Sequence, residues 1–234
     1  EARRGVVLAC GGFPHDVARR ARLFPHAPRG TEHWSPAPKQ NTGDGLRLAE
    51  TVGAHVDETL PNAAAWVPVS RVPREEGGEG LFPHFIDRAK PGVIAVNRAG
   101  RRFVNEGDSY HDFCLAMMES CASGGEVAAW LVCDHRTIRK YGLGFAKPFP
   151  LPVERYVRMG YLTRGNTPAE LARASGIDPE ALEATIAQFN THAIRYEDPA
   201  FDKGSRAYNR HMGDPDAPHP CIAPVATPPF YAVK

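Results

Sequence analysis

The stretch Pro91–Asp112, PGVIAVNRAGRRFVNEGDSYHD, predicts a β-hairpin that carries a cluster of polar side chains. Gly92–Val96 is a short apolar run rich in β-branched residues, which favours a strand. Asn97–Gly100 has the composition of a turn, and glycine at its last position adopts a positive φ at little cost. Arg101–Asn105 alternates polar and apolar residues again, so we expect a returning strand there.

The end of the predicted hairpin is unusually polar. The cluster consists of Asn105, Glu106, Asp108, Ser109, Tyr110, His111 and Asp112, with Arg98, Arg101 and Arg102 just upstream. Titratable side chains at the end of a rigid hairpin are a candidate functional site, because loops on rigid scaffolds carry function disproportionately. The alternative is a solvated hairpin tip whose arginines and carboxylates pair with one another. The pattern alone leaves both interpretations open.

The composition is that of an ordinary globular protein. Hydrophobic residues make up 42% of the 234 positions and charged residues 24%, which suffices for a sizeable core. A formal net charge of +1 gives no reason to expect nucleic acid or an anionic membrane surface as a partner. No apolar run approaches the roughly 20 residues of a membrane span and no signal peptide opens the sequence, so we expect a cytoplasmic protein. The five cysteines form no C-x-x-C pair, which predicts free, mostly buried thiols.

Motifs for hydrolysis and for metal binding are missing from the sequence. It contains no G-x-S-x-G, no H-E-x-x-H and no Walker A motif. Asp108, His111 and Asp112 are of metal-ligand types, but no further histidine or cysteine supports them at metal-site spacing. We therefore expect no metal.

The first 59 residues show two features of a dinucleotide-binding α/β fold. Arg4–Ala9, RGVVLA, predicts a buried parallel strand that runs into the turn Cys10–Gly11–Gly12, and ligands of doubly wound sheets lie beyond such strand ends. An ordinary turn between a strand and a helix has the same composition. Asn41–Gly45, NTGDG, opens a predicted helix over Leu46–Val52, where Asp44 can serve as the cap. The strand, G-x-G-x-x-G and helix that should begin such a domain are missing, so we expect a piece of a longer protein.

The second half of the sequence carries clear scaffold signals. Val127–Cys133 predicts a buried strand, and Asp134 caps a following helix that stops at Gly142. Thr167–Glu170, TPAE, is a capping box with proline at the first helical position. The next helix places an apolar stripe on one face, formed by Leu182, Ile186, Phe189 and Ala193. Phe230–Val233 predicts a last strand.

Five motifs, in this order along the chain, resemble the FAD-dependent fumarate reductase/succinate dehydrogenase flavoprotein superfamily, and most closely its 3-ketosteroid dehydrogenase branch. They are RGVVLACGGF at Arg4–Phe13, NTGDGLRLAETVGA at Asn41–Ala54, AAAWVPVS at Ala63–Ser70, NRAGRRFVNE with SYHD in the hairpin stretch, and PPFYAVK at Pro228–Lys234. The resemblance implies an α+β catalytic, or cap, domain of a fumarate reductase-type flavoprotein over residues 60–234. Residues 1–59 would be a remnant of the α/β FAD-binding domain.

The resemblance implies FAD as the cofactor. In the family the G-D-G segment lies against the flavin nucleotide near its diphosphate and ribityl chain, which assigns Asp44 and Gly45 to cofactor binding. The glycine turn Cys10, Gly11 and Gly12 is assigned to the same role. Because the flanking segments of the FAD-binding domain are missing, we expect this chain alone to bind FAD weakly or not at all.

The resemblance also implies an apolar substrate. Fumarate reductases hold a histidine that grips a substrate carboxylate where this sequence has Ala65 and Trp66. An alanine–tryptophan wall suits a flat apolar molecule, such as a ketone or a steroid-like substrate. The alternative is that Trp66 is an ordinary core residue.

Tyr110 is the residue to which the resemblance assigns the chemistry. Its place, four residues after Glu106, holds an arginine in fumarate reductases and a proton-abstracting tyrosine in the 3-ketosteroid dehydrogenases. A tyrosine with an ordinary pKa of about 10 is a poor base, so its surroundings must favour the phenolate. Arg98, Arg101, Arg102 or a second phenol are the candidates. His111 is a second candidate, as a proton relay. The alternative for Tyr110 is a core tyrosine with one hydrogen bond.

The predicted function is therefore part of an FAD-dependent dehydrogenase that desaturates a 3-ketosteroid-like cyclic ketone. The proton would leave from the carbon next to the carbonyl and the hydride would go to the flavin. A fumarate reductase-like enzyme and a non-catalytic binding module are the alternatives.

Overall fold

The computed structural model describes residues 2–121 and 125–234. The chain folds as two compact units, Glu1–Ala65 and Trp66–Lys234. Within the described ranges, no helix combines the length and the apolar character that a membrane crossing needs.

The first unit contains the helices α1 (Val17–Leu23) and α2 (Asp44–Thr51). The helix predicted over Leu46–Val52 is confirmed as α2, but Asp44 is its first residue rather than its cap. The cap is Gly43, which adopts a left-handed conformation with a φ of 85°. The Asp44 carboxylate pairs instead with the Arg47 guanidinium and accepts a hydrogen bond from the Thr42 hydroxyl.

The predicted strand over Arg4–Ala9 is wrong. The segment forms no strand among the described residues of the first unit, and Val6 and Val7 are 75% and 91% exposed. An apolar β-branched run becomes a strand only where another strand satisfies its backbone groups. No such partner is described in this unit.

Among its described residues, the second unit forms two antiparallel sheets. Strands β1 (Val69–Pro73) and β2 (Glu79–Pro83) form a hairpin. The larger sheet has the order β3-β4-β6-β5. Its strands are β3 (Val93–Val96), β4 (Trp130–Asp134), β5 (Thr163–Gly165) and β6 (Phe230–Val233). The helices of this unit are α3 (Tyr110–Ser120), α4 (His135–Tyr141), α5 (Glu154–Arg158), α6 (Pro168–Ser175), α7 (Pro179–Ala193) and α8 (Ala207–Met212).

Both faces of the larger sheet are covered. Val93, Cys133 and Tyr231 belong to one hydrophobic cluster, which includes Phe113 of α3. Their strand neighbours belong to a second cluster on the other face, together with the apolar residues of α6 and α7. Strands β3, β4 and β6 are therefore buried along their whole length, which explains why their sequences are continuously apolar.

The helix boundaries agree with the sequence signals. The Asp134 carboxylate accepts the backbone N–H of Thr137 at 2.9 Å, and the Thr167 hydroxyl accepts that of Glu170 at 3.1 Å. Helix α6 ends at Gly176, which has a φ of 72°. The predicted stripe of α7 is confirmed, because all four of its members are buried. All five cysteines are free thiols, and three of them are buried.

The central hairpin is only half confirmed. Strand β3 forms as predicted, and Gly100 closes the turn with a φ of 70°. The return, however, pairs with β3 only through a single bridge between Val96 and Arg102. The polar residues after Arg102 do not pair with β3. Their side chains instead form hydrogen bonds with other parts of the second unit.

Candidate active site

The polar cluster of the hairpin lies inside the protein rather than at a solvated tip. Glu106 is fully buried, and its carboxylate accepts hydrogen bonds from Arg102 at 2.8 Å and from the backbone N–H of Ala95 at 3.0 Å. Arg102 also donates two hydrogen bonds to Asp198, at 2.7 and 2.9 Å. The arginine–carboxylate network that we considered as an alternative does exist, but it is buried.

A lysine completes this buried network. The Lys203 ammonium has no exposed side-chain surface, lies 3.6 Å from the Glu106 carboxylate and donates to the Val93 carbonyl at 2.5 Å. The Arg102 guanidinium lies 4.9 Å from the ring centroids of both Phe189 and Phe201. Charges that are buried and paired in this way hold backbone segments in one arrangement. The network therefore supports the segment that leads into α3.

Tyr110 is the first residue of α3. The Ser109 hydroxyl caps the helix by accepting the backbone N–H of Asp112 at 3.1 Å. The half-buried Tyr110 ring meets Phe85 edge to face, with ring centroids 5.4 Å apart and an interplanar angle of 84°. Phe85 and its neighbour Ile86 are 42% and 53% exposed. Within residues 2–121 and 125–234, the Tyr110 hydroxyl makes no hydrogen bond to the protein.

The arginines upstream of Tyr110 are placed elsewhere. Arg102 is held by Glu106 and Asp198, and the Arg98 guanidinium lies over the Trp130 ring, 5.9 Å from its centroid. In the described part of the chain, neither guanidinium forms a hydrogen bond with Tyr110. That Arg98, Arg101 or Arg102 favours the phenolate of Tyr110 stays a prediction.

His111 faces a backbone group. Its Nδ1 accepts the backbone N–H of Trp66 at 3.1 Å, so the proton of a neutral ring lies on Nε2. The Trp66 side chain is only 3% exposed, whereas Ala65 is exposed. Burial favours the interpretation of Trp66 as a core residue. Its role as a substrate wall, shared with Ala65, stays a prediction.

A chain of hydrogen bonds that the sequence did not suggest fixes the segment before a short 3-10 helix, Asp87–Ala89. His84 lies 2.6 Å from Asp87 through Nδ1 and 2.8 Å from the Ser70 hydroxyl through Nε2. The Tyr161 hydroxyl lies 2.7 Å from that of Ser70 and accepts the backbone N–H of Phe145. Burial raises the pKa of Tyr161 to about 12, so its hydroxyl stays protonated.

Close packing at Gly144 adds to this arrangement. Gly144 has a φ of 57°, and a Cβ built there would lie 2.1 Å from the Tyr161 hydroxyl and 2.7 Å from Cε1 of His84. Only glycine satisfies both the backbone conformation and the lack of space. The segment that carries Phe85 is therefore held from two sides.

The residues assigned to the cofactor meet one another within the first unit. The backbone N–H of Gly43 donates to the Gly12 carbonyl at 3.2 Å. A Cβ on Gly45 would lie 2.7 Å from the Cys10 thiol, and a Cβ on Gly11 would lie 2.8 Å from the Asn41 amide oxygen. The glycine turn thus packs against the start of α2.

This packing fits part of an FAD site. Helix α2 has no side-chain cap, so the backbone N–H groups of its first turn have no partner within the helix. Such amides, at the positive end of a helix dipole, suit a diphosphate. Among the described residues, no group of three histidine, cysteine, aspartate or glutamate side chains converges as a metal site would require.

Comparison with known proteins identifies the family. A family model described as "FAD binding domain" matches residues 1–234. The chain is 40% identical over 235 residues to 4-oxocyclohex-2-ene-1-carboxylate 5-dehydrogenase of Sinomonas cyclohexanicum, covering all of this chain and 40% of the relative. It is 37% identical over 239 residues to 3-oxosteroid 1-dehydrogenase of Mycobacterium tuberculosis, covering all of this chain and 41% of the relative.

A solved structure agrees with these relatives. The 3-ketosteroid delta1-dehydrogenase of Sterolibacterium denitrificans, in complex with 1,4-androstadiene-3,17-dione, matches with a TM-score of 0.85 and 35% identity. The match covers 99% of this chain and 41% of that one. The chain therefore belongs to the family described as "FAD binding domain". The predicted superfamily and the predicted α+β fold class are confirmed, and the chain spans about two fifths of the length of these relatives.

Proposed function

We propose that the chain is the substrate-covering and proton-transferring part of an FAD-dependent dehydrogenase that introduces a double bond next to the carbonyl of a six-membered cyclic ketone. The observation that carries this proposal is the placement of Tyr110. Its hydroxyl has no protein partner among the described residues, and its ring stands beside the exposed apolar side chains of Phe85 and Ile86. A phenol with a free hydroxyl beside an apolar surface suits proton transfer from a ring carbon.

The chain's own residues account for the proton and for the fit of an apolar ring. When bound, FAD supplies the hydride acceptor of the reaction. Tyr110 accepts the proton from the carbon next to the carbonyl as that hydride leaves the neighbouring carbon. Phe85 and Ile86 cover the apolar ring of the substrate and keep water away.

The named relatives differ in what surrounds the ketone ring. One is named for an oxocyclohexene carboxylate and the other for a 3-oxosteroid. The two names share the oxidation of a six-membered ring that carries a ketone. We propose this shared class, with an apolar ring against the Phe85 side. A dicarboxylate such as fumarate does not suit this site, since Tyr110 stands where fumarate reductases hold an arginine.

A substrate panel tests the proposal. The intact FAD-loaded protein should reduce an artificial electron acceptor with a 3-ketosteroid, with 4-oxocyclohexanecarboxylate or with both, and it should ignore succinate and fumarate. A dicarboxylate would place one carboxylate where the apolar ring of a ketone substrate lies, and leaving it unpaired there costs several kcal/mol, on the order of 1,000-fold in kcat/KM. Robust fumarate reduction would overturn the proposal. A protein without the flavin absorbance near about 450 nm would favour a non-catalytic binding module.

Weak FAD binding by the 234-residue chain alone is a second expectation. The first unit presents the start of α2, but its apolar segment around Val6 and Val7 is exposed and unpaired. We therefore expect FAD titrated into the purified chain to bind with a dissociation constant above about 1 μM, that is, weaker than about −8 kcal/mol. Flavin fluorescence quenching measures this. Sub-micromolar binding would contradict the expectation.

A further inference from the structure

Arg88 joins the two segments that carry Phe85 and Tyr110. Its Nε donates to the His84 carbonyl at 2.9 Å, next to Phe85 in the chain. Its Nη1 donates to the Glu106 carbonyl at 2.8 Å, and both terminal nitrogens reach the Asp108 carbonyl at 3.2 and 3.3 Å. One guanidinium therefore holds a carbonyl on the Phe85 side and two carbonyls just before Tyr110.

The same side chain also touches α3 itself. The guanidinium carbon of Arg88 lies 4.7 Å from the ring centroid of Phe113, three residues after Tyr110. Arg88 is only 1% exposed, so all of these contacts are made in the interior. The planar guanidinium has a rigid fork of donors that fixes the directions of several acceptors at once.

Stability alone does not explain a buried arginine in this position. Within the described residues, Arg88 forms no close ion pair: its hydrogen-bond acceptors are backbone carbonyls, and the Asp87 and Glu106 carboxylates act on its charge only from a longer distance. A buried cation without a directly paired anion is expensive, and an apolar side chain of similar volume commonly stabilises a fold as well or better. What the guanidinium provides is a fixed spacing between the two segments.

We propose that Arg88 is a positioning residue that sets the edge-to-face geometry of Phe85 and Tyr110, and through it the direction of the Tyr110 hydroxyl toward substrate. The catalytic part of this inference rests on the proposed function. The geometric part does not depend on turnover. The two parts are therefore tested by separate measurements on the same intact FAD-loaded protein.

The geometric part is tested by fluorine NMR with 3-fluorotyrosine incorporated at position 110. Phe85→Leu first defines how far the resonance moves when the neighbouring ring current is removed. Arg88→Lys, which keeps the charge but cannot reach three carbonyls, should shift the resonance in the same direction and broaden it. Arg88→Gln is measured in parallel, so that one variant remains if the other does not fold.

Asn190→Ala is the matched control. The Asn190 side chain also clamps the backbone, donating to the Val225 carbonyl at 2.9 Å and accepting the Val225 N–H at 2.8 Å, but its neighbours lie in the other hydrophobic cluster. It should lower the melting temperature and leave the resonance of position 110 where it is in the wild type. An unshifted resonance in the folded Arg88 variants would overturn the proposal.

The catalytic part is read from turnover. Misplacing a reacting group by about 1 Å costs up to about 100-fold, so Arg88→Lys should lower kcat about 10- to 100-fold while KM changes less. Asn190→Ala should keep kcat. If the shift in resonance appears and kcat is unchanged, the catalytic part is overturned. If the wild type itself does not oxidise ring ketones, the proposed function fails. The fluorine resonance of position 110 still decides whether Arg88 fixes the geometry of Phe85 and Tyr110.

Discussion

Replacing Tyr110 with phenylalanine should lower kcat of the intact FAD-loaded protein by at least about 100-fold, because general acid–base groups contribute about 10²–10⁴-fold. The substitution removes one oxygen that has no protein partner among the described residues, and the edge-to-face contact with Phe85 remains. The melting temperature and the flavin content should therefore stay near the wild-type values. Steady-state kinetics with a ring ketone measure the effect, and KM should change less than kcat.

Two neighbouring substitutions serve as controls for Tyr110→Phe. His111→Gln keeps an acceptor for the Trp66 N–H, and Asn105→Ala removes hydrogen bonds to Asn209 and to the Gly107 N–H, so neither removes the proton acceptor. Both should reduce kcat less than Tyr110→Phe does. A Tyr110→Phe protein with normal turnover and a lowered melting temperature would show that Tyr110 is a core residue.

Glu106→Gln should lower the free energy of unfolding by about 3–5 kcal/mol, because it leaves Arg102 and Lys203 buried with less opposing charge. Urea unfolding measures the loss. Glu126→Gln is the matched control, since its carboxylate forms an ion pair with Lys234 but is 39% exposed. An exposed pair contributes about 1 kcal/mol or less. Equal losses for the two variants would contradict the importance of the buried network.

The same network predicts a pH dependence. Burial alone would raise the pKa of Glu106, but the charges of Arg102 and Lys203 outweigh burial and lower it to about 2. Because the folded pKa lies below the ordinary value of 4.5, the stabilisation is complete above that value and is lost as the pH falls toward about 2. The difference in unfolding free energy between wild type and Glu106→Gln should therefore be smaller at about pH 3 than at about pH 6, with the change falling below about pH 4.5. A constant difference would show that Glu106 does not ionise as described.

Elements with short-range signals were predictable from the sequence. A capping residue lies three positions from the amide it accepts, and the stripe of α7 repeats every three or four residues, so neither needs a distant partner. The strand expected at Arg4–Ala9 failed for the opposite reason. Its apolar pattern resembles that of β3, but β3 has β4 beside it, whereas the N-terminal segment has no described partner in its unit.

The sequence by itself determined the family, the position of Tyr110 and the presence of a polar cluster around it, because these rest on motifs of consecutive residues. Only the tertiary structure decided what that cluster does. Lys203 reaches a carbonyl 110 residues away and Arg102 a carboxylate 96 residues away, so the network is buried rather than solvated. Arg88 and Phe85 acquire their relation to Tyr110 in the same way. Hydrogen bonds and ring contacts depend on distances of a few ångströms, which folding sets between residues that the sequence places far apart.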